Sequence, residues 1–160
     1  MVSVDWEQGI AAAHVVAASS ALLAGAMVLL LPKGTPTHRA TGTAYALALV
    51  LVNVAALSLH RENVFGVFHA LALASLVTIA VGLSPLLMGK RSPRVIAIHA
   101  FCMTWSYAGL AAAGSGQLAA GVGHGLAAWV VPAVIGAVLS IGGVVIFWAV
   151  PSTLDGLLAE

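Results

Sequence analysis

Five long apolar runs, parted by short polar breaks, organise this chain. A helix that crosses the ~30 Å hydrocarbon core of a bilayer needs about 20 mostly apolar residues, because it rises ~1.5 Å per residue. The first run covers residues 7–31 and stops at Pro32-Lys33-Gly34-Thr35-Pro36. The second, 37–59, stops at His60-Arg61-Glu62-Asn63. The third, 64–88, gives way to Gly89-Lys90-Arg91-Ser92-Pro93. The fourth, 94–118, precedes the Gly-rich stretch 121–125, and the fifth, 126–150, is read as ending at Pro151. None of the runs alternates apolar and polar residues as a barrel strand would, and a helix satisfies its backbone groups within its own segment. The pattern predicts an all-α integral membrane helical bundle in a single transmembrane domain, 1–160. It has a four-helix core and a fifth transmembrane helix.

Composition strengthens this reading. Charged residues are 7% of the chain and apolar residues 61%, whereas a water-soluble domain carries about 25% charged residues. So few charges cannot cover a soluble surface. No basic run or zinc-finger spacing is present, which sets nucleic acid aside. The single Cys102 supports neither an internal disulfide nor a CxxC motif. Residues 1–8 hold Asp5 and Glu7 and no Lys or Arg, so the first apolar run is expected to be retained rather than cleaved as a signal.

The few charges are unevenly placed. Lys33, Arg39, Lys90, Arg91 and Arg94 lie in or beside the first and third turns, and only Arg61 lies at the second. Basic residues collect on the cytoplasmic side of short loops. The expectation is a multi-pass protein of the inner (cytoplasmic) membrane with its N-terminus outside and C-terminus in the cytoplasm. Trp6, Trp129 and Trp148 fall near span ends, as interfacial anchors do. Ala and Gly recur in every run, and small residues let helices approach closely in lipid. Gly136 and Ser140 form a small-xxx-small pair, read first as intramolecular packing and second as a homodimer seam. A faint repeat joins His14-Val15-Val16-Ala17-Ala18-Ser19, with Gly25 beyond it, to His69-Ala70-Leu71-Ala72-Leu73-Ala74-Ser75, with Gly82 beyond it.

Six histidines stand among only eleven Asp, Glu, Lys and Arg. Ionisable groups inside a membrane are costly and mark function by default. His14 and His69 fall ~10 and ~8 Å from the outer ends of the first and third spans. His38 and His99 fall near the inner ends of the second and fourth. In an up-down bundle these would be two diagonal pairs, the arrangement by which a bundle core holds two haems with imidazole axial ligands. A histidine in a span also commonly hydrogen-bonds across helices. His60 and His124 read as wet span-end residues, with an outer His cluster binding zinc or copper as the alternative. Met103, on the face of His99, and Cys102 read as packing residues. Tyr45, Tyr107 and Trp105 need partners for their polar atoms and could edge a haem or quinone pocket. Mid-span Asn53 needs an interhelical hydrogen bond.

Lys33-Gly34-Thr35-Pro36-Thr37-His38-Arg39-Ala40-Thr41-Gly42-Thr43-Ala44-Tyr45 resembles the turn into the second helix of a bacterial family of predicted membrane proteins, domain of unknown function 2306. Phe68-His69-Ala70-Leu71 resembles that family's start of the third helix. His99 with Met103, followed by Tyr107, resembles its start of the fourth. His14 and Gly25 also fit, so the resemblance covers about residues 14–118. Ala100 stands where the family often has Arg. The resemblance implies a helical membrane protein with histidines at positions 38, 69 and 99, and it implies no reaction.

Three functions compete. The first is a b-type haem protein that carries electrons within or across the membrane, to or from quinone. The second is a structural subunit of a larger membrane complex. The third is a His-ligated zinc or copper protein or hydrolase. A hydrolase of this kind keeps three protein ligands and commonly a carboxylate base, and no carboxylate lies in the interior of a span.

Overall fold

The computed structural model describes residues 6–59, 65–122 and 128–158. Among them are five α-helices: α1 (Trp6–Leu30), α2 (Pro36–Ser58), α3 (Val67–Leu87), α4 (Pro93–Val122) and α5 (Val130–Leu158). All five are long and apolar enough to cross a membrane. Large apolar side chains stand fully open, with Leu30 87% and Leu87 83% exposed. Such surfaces are satisfied by lipid and not by water. The chain is a helical membrane protein. It divides into two compact units, Met1–Leu76 and Val77–Glu160.

In the first unit α1 packs against α2. The seam on α1 is Ala21, Gly25 and Val28, all buried and spaced by four and three residues. On α2 it is Tyr45, Leu49 and Val52 with the same spacing, flanked by Ala46 and Asn53. Residues so spaced share one helix face. Lipid tails are as apolar as the side chains, so close packing and polar bonds hold such a seam rather than the hydrophobic effect. The expected partner of Asn53 is found: its Nδ2 donates to Ser75 Oγ at 2.9 Å, tying α2 to the first half of α3.

The turn from α1 to α2 accounts for most of the Lys-Gly-Thr-Pro signature. Lys33 Nζ donates to the carbonyls of Val28, Leu29 and Leu31 at 3.1, 2.7 and 3.2 Å. A cation there satisfies orphan carbonyls and complements the helix dipole. Burial holds the Lys33 ammonium below the usual lysine pKa. Gly34 takes φ +77°, a conformation in which a Cβ is strained. Thr35 caps α2, its hydroxyl accepting from the His38 N–H at 3.2 Å, and Pro36 opens the helix where no N–H is needed.

The second unit holds the rest of α3 with α4 and α5. Its core is Ala108 on α4 with Ile146, Val150 and Leu154 on α5, and Ile96, Ala97, Ala100, Phe101 and Trp105 pack against it. Glycines set the spacing. A Cβ on Gly142 would come within 3.0 Å of Ala108 Cβ, and one on Gly143 within 3.0 Å of the Trp105 ring. Gly136 and Ser140 do not share this seam: both are exposed, and a Cβ on Gly136 would meet nothing within 4 Å. The turn from α3 to α4 repeats the first one's chemistry. Gly89 has φ +78°, the Ser92 hydroxyl faces the Val95 N–H at 3.4 Å, and Pro93 opens the helix.

Two helix ends lie beyond the sequence reading. Ala119 and Ala120 are strong helix formers, and α4 runs four residues past Leu118 to Val122. Pro151 does not end α5, which continues to Leu158. Proline's φ is helical, but it lacks the N–H that would bond Phe147 O and its ring crowds that carbonyl. In the following turn the hydroxyls of Ser152 and Thr153 both donate to Ala149 O at 2.9 Å. By length and composition the candidate span of α5 runs Val130–Asp155. Trp129 and Trp148 are 19 residues apart, ~28 Å along a helix and close to the ~30 Å apolar core.

Candidate functional site

The histidines are the candidate site, and the helices hold them in two different states. His14 stands eight residues into α1. Its Nδ1 is 3.1 Å from the carbonyl oxygen of Val52 on α2. A carbonyl can only accept, so Nδ1 carries the hydrogen and, in the neutral ring, Nε2 carries the lone pair. His99 does the same in the second unit: its Nδ1 donates to Gly82 O on α3 at 3.1 Å. Both spans thus show the cross-helix bond expected of an intramembrane histidine. Both rings are also set in the tautomer that metal-binding histidines adopt, with one nitrogen anchored on a carbonyl and the other available.

His69 is set the other way. Its Nδ1 accepts the Gly66 N–H at 3.2 Å at the start of α3, so its neutral ring carries the hydrogen on Nε2. Its ring leans on Phe65, with centroids 5.5 Å apart and planes 30° apart. The depths differ too. His14 is level with Val52, and the adjacent Asn53 is level with Ser75. His69 precedes Ser75 by six residues, a stagger of ~9 Å along the helix. His38 lies in the first turn of α2, half-buried, with its backbone N–H held by Thr35. It belongs to the first unit and His99 to the second. His60 and His124 lie outside the described residues.

Around His99 the packing is tight. A Cβ built on Gly82 would come within 2.8 Å of Cys102 Cβ and 3.5 Å of Met103 Sδ. Cys102 and Met103 therefore pack against α3, as their residue types suggest. Gly82 had no role in the sequence reading beyond the repeat, although a glycine in mid-span is itself a signal of close helix approach. Among the described residues no three His, Cys, Asp or Glu side chains come together to hold a metal ion. A three-ligand zinc centre needs such a group, and a two-imidazole axial set does not.

Fold and site together define a class: a polytopic helical membrane protein with imidazoles anchored on backbone carbonyls inside its spans. The chain belongs to the family of predicted membrane proteins DUF2306, whose sequence pattern matches residues 11–150. The match runs on through most of α5, past the stretch that carries the motifs. No curated relative and no solved structure matches the chain.

Proposed function

We propose that this protein is a b-type haem protein that carries electrons within or across the membrane, exchanging them with quinone. One observation carries the reading: His14 and His99 each anchor Nδ1–H on a neighbouring helix's carbonyl and leave Nε2 as a free donor atom. A carbonyl partner on the far nitrogen fixes the ring and raises its basicity as a ligand. In this reading His14 and His69 are the outer ligands, His38 and His99 the inner ones, and the outer pair forms only when α3 shifts to close the ~9 Å that separates the two rings in depth. His69 joins only if its ring gives up the Gly66 N–H and moves its proton to Nδ1. A bound haem would supply a one-electron couple, and the chain's own residues would orient the imidazoles and exclude water from them. Five of the six Lys and Arg residues flank the first and third turns, and on that bias we assign the N-terminus to the outside and the C-terminus to the cytoplasm, in the inner membrane.

Optical spectroscopy on the full chain, purified from haem-sufficient cells, tests this. The expected result is a Soret band that shifts on reduction. His14→Ala and His99→Ala should each remove one haem and leave the other spectrally intact. A colourless protein whose metal analysis shows no iron would overturn the proposal.

A further inference from the structure

A groove of about 620 Å³ runs along the outer face of the α4–α5 hairpin. Trp105 forms one wall, and Ser140, Val144, Phe147 and Trp148 form the other. Gly143 makes room for the Trp105 ring, which meets Phe147 edge-on at a centroid distance of 6.4 Å. Phe147 also contacts Phe101, at 6.0 Å, one turn further down α4. The groove opens to the bilayer, with Phe147 and Trp148 65% and 80% exposed. Seven residues before Phe101, two turns down the same face of α4, is Arg94, ~10 Å away along the axis. Lys90 and Arg91 precede it in the turn, and all three are exposed. Among the described residues of this unit Asp155 on α5 is the one carboxylate against these three cations, so the described charges are net positive.

We infer that this hairpin is a binding site for one anionic phospholipid. The apolar groove takes an acyl chain, Trp148 stands at the depth of the glycerol region, and Arg94, Arg91 and Lys90 receive the phosphate. Aromatic residues at the interface and cations just beyond it are the chemistry that selects an anionic headgroup over a zwitterionic one. The site does not depend on the haem reading and is tested without it.

Native mass spectrometry of the delipidated full chain in detergent reads bound lipid directly. The chain is titrated with phosphatidylglycerol and, separately, with phosphatidylcholine of the same acyl chains. The expected result is one tightly held phosphatidylglycerol, preferred over phosphatidylcholine. Arg94→Gln and Lys90→Gln should each lower that preference about fivefold, the effect of one cation near an anionic headgroup. Asp155→Asn should raise it. Ser140→Phe fills the groove without touching a charge and should weaken both lipids. Circular dichroism verifies that each variant keeps its helix content, and Lys90→Gln, in the turn, carries the test if Arg94→Gln does not fold. Equal affinity for the two lipids would overturn the site. So would displacement of phosphatidylglycerol by a quinone at equal concentration, or lipid loss that tracks formation of a dimer.

Discussion

The two units solve one problem in two ways. Each must let an imidazole on one helix reach a backbone carbonyl on the next. In the first unit the approach comes from the histidine's own helix: α1 presents Ala21 and Gly25 on the seam two and three turns beyond His14, and the acceptor residue, Val52, is bulky. In the second the approach comes from the acceptor's helix. Gly82 both offers the carbonyl and leaves the space that Cys102 fills. A small-residue stripe spreads the tolerance over several positions, whereas one glycine concentrates it at a single contact. The second imidazole should therefore be the more easily disturbed.

The largest effect expected from this contrast is at Gly82. Gly82→Ala puts a Cβ 2.8 Å from that of Cys102, an overpacking cost of about 1–3 kcal/mol. Cys102→Gly in the same chain should restore part of it. Additive single and double variants in a micellar unfolding titration would show that the contact is not what spaces α3 and α4. Next come the caps. Thr35→Ala should cost about 1 kcal/mol, and Ser92→Ala less, because its bond is 3.4 Å long against 3.2 Å. The reverse order in the same titration would mean the two turns are not built alike.

His14→Ala, His99→Ala and Asn53→Ala each remove one polar bond inside the membrane, worth ~0.6 kcal/mol on average and ~1.7 at most. Among these, His99→Ala should be partly masked by Gly82→Ala, whereas His14→Ala should not. Equal additivity of both histidine variants with Gly82→Ala would erase the distinction between the units. The smallest effect belongs to Gly136. Gly136→Ala meets nothing within 4 Å, and its stability should be unchanged or slightly raised by the better helix propensity of alanine. A loss above about 1 kcal/mol in the same assay would place a partner against that face.

The sequence by itself determined a good deal. Apolar runs of spanning length, broken by Pro, Gly and charge, marked five helices long and apolar enough to cross a membrane and roughly where each begins. A span must be continuous in composition to be soluble in lipid, so composition alone marks it. The requirement that a buried amide find a partner foretold the Asn53 bond, and the residue types of Lys33-Gly34-Thr35-Pro36 carry their own turn. Only the tertiary structure decided the rest. That α5 passes through Pro151 to Leu158 is a property of the folded helix that a proline in the sequence does not announce. That Gly142 and Gly143, and not Gly136, meet α4 depends on helix rotation, which near-uniform apolar spans do not encode. The states of the histidines are the plainest case. His14, His69 and His99 are the same residue in similar apolar surroundings. Which nitrogen carries the proton is fixed by whether a carbonyl or an N–H lies opposite, and that is set by how the neighbouring backbone is placed in space.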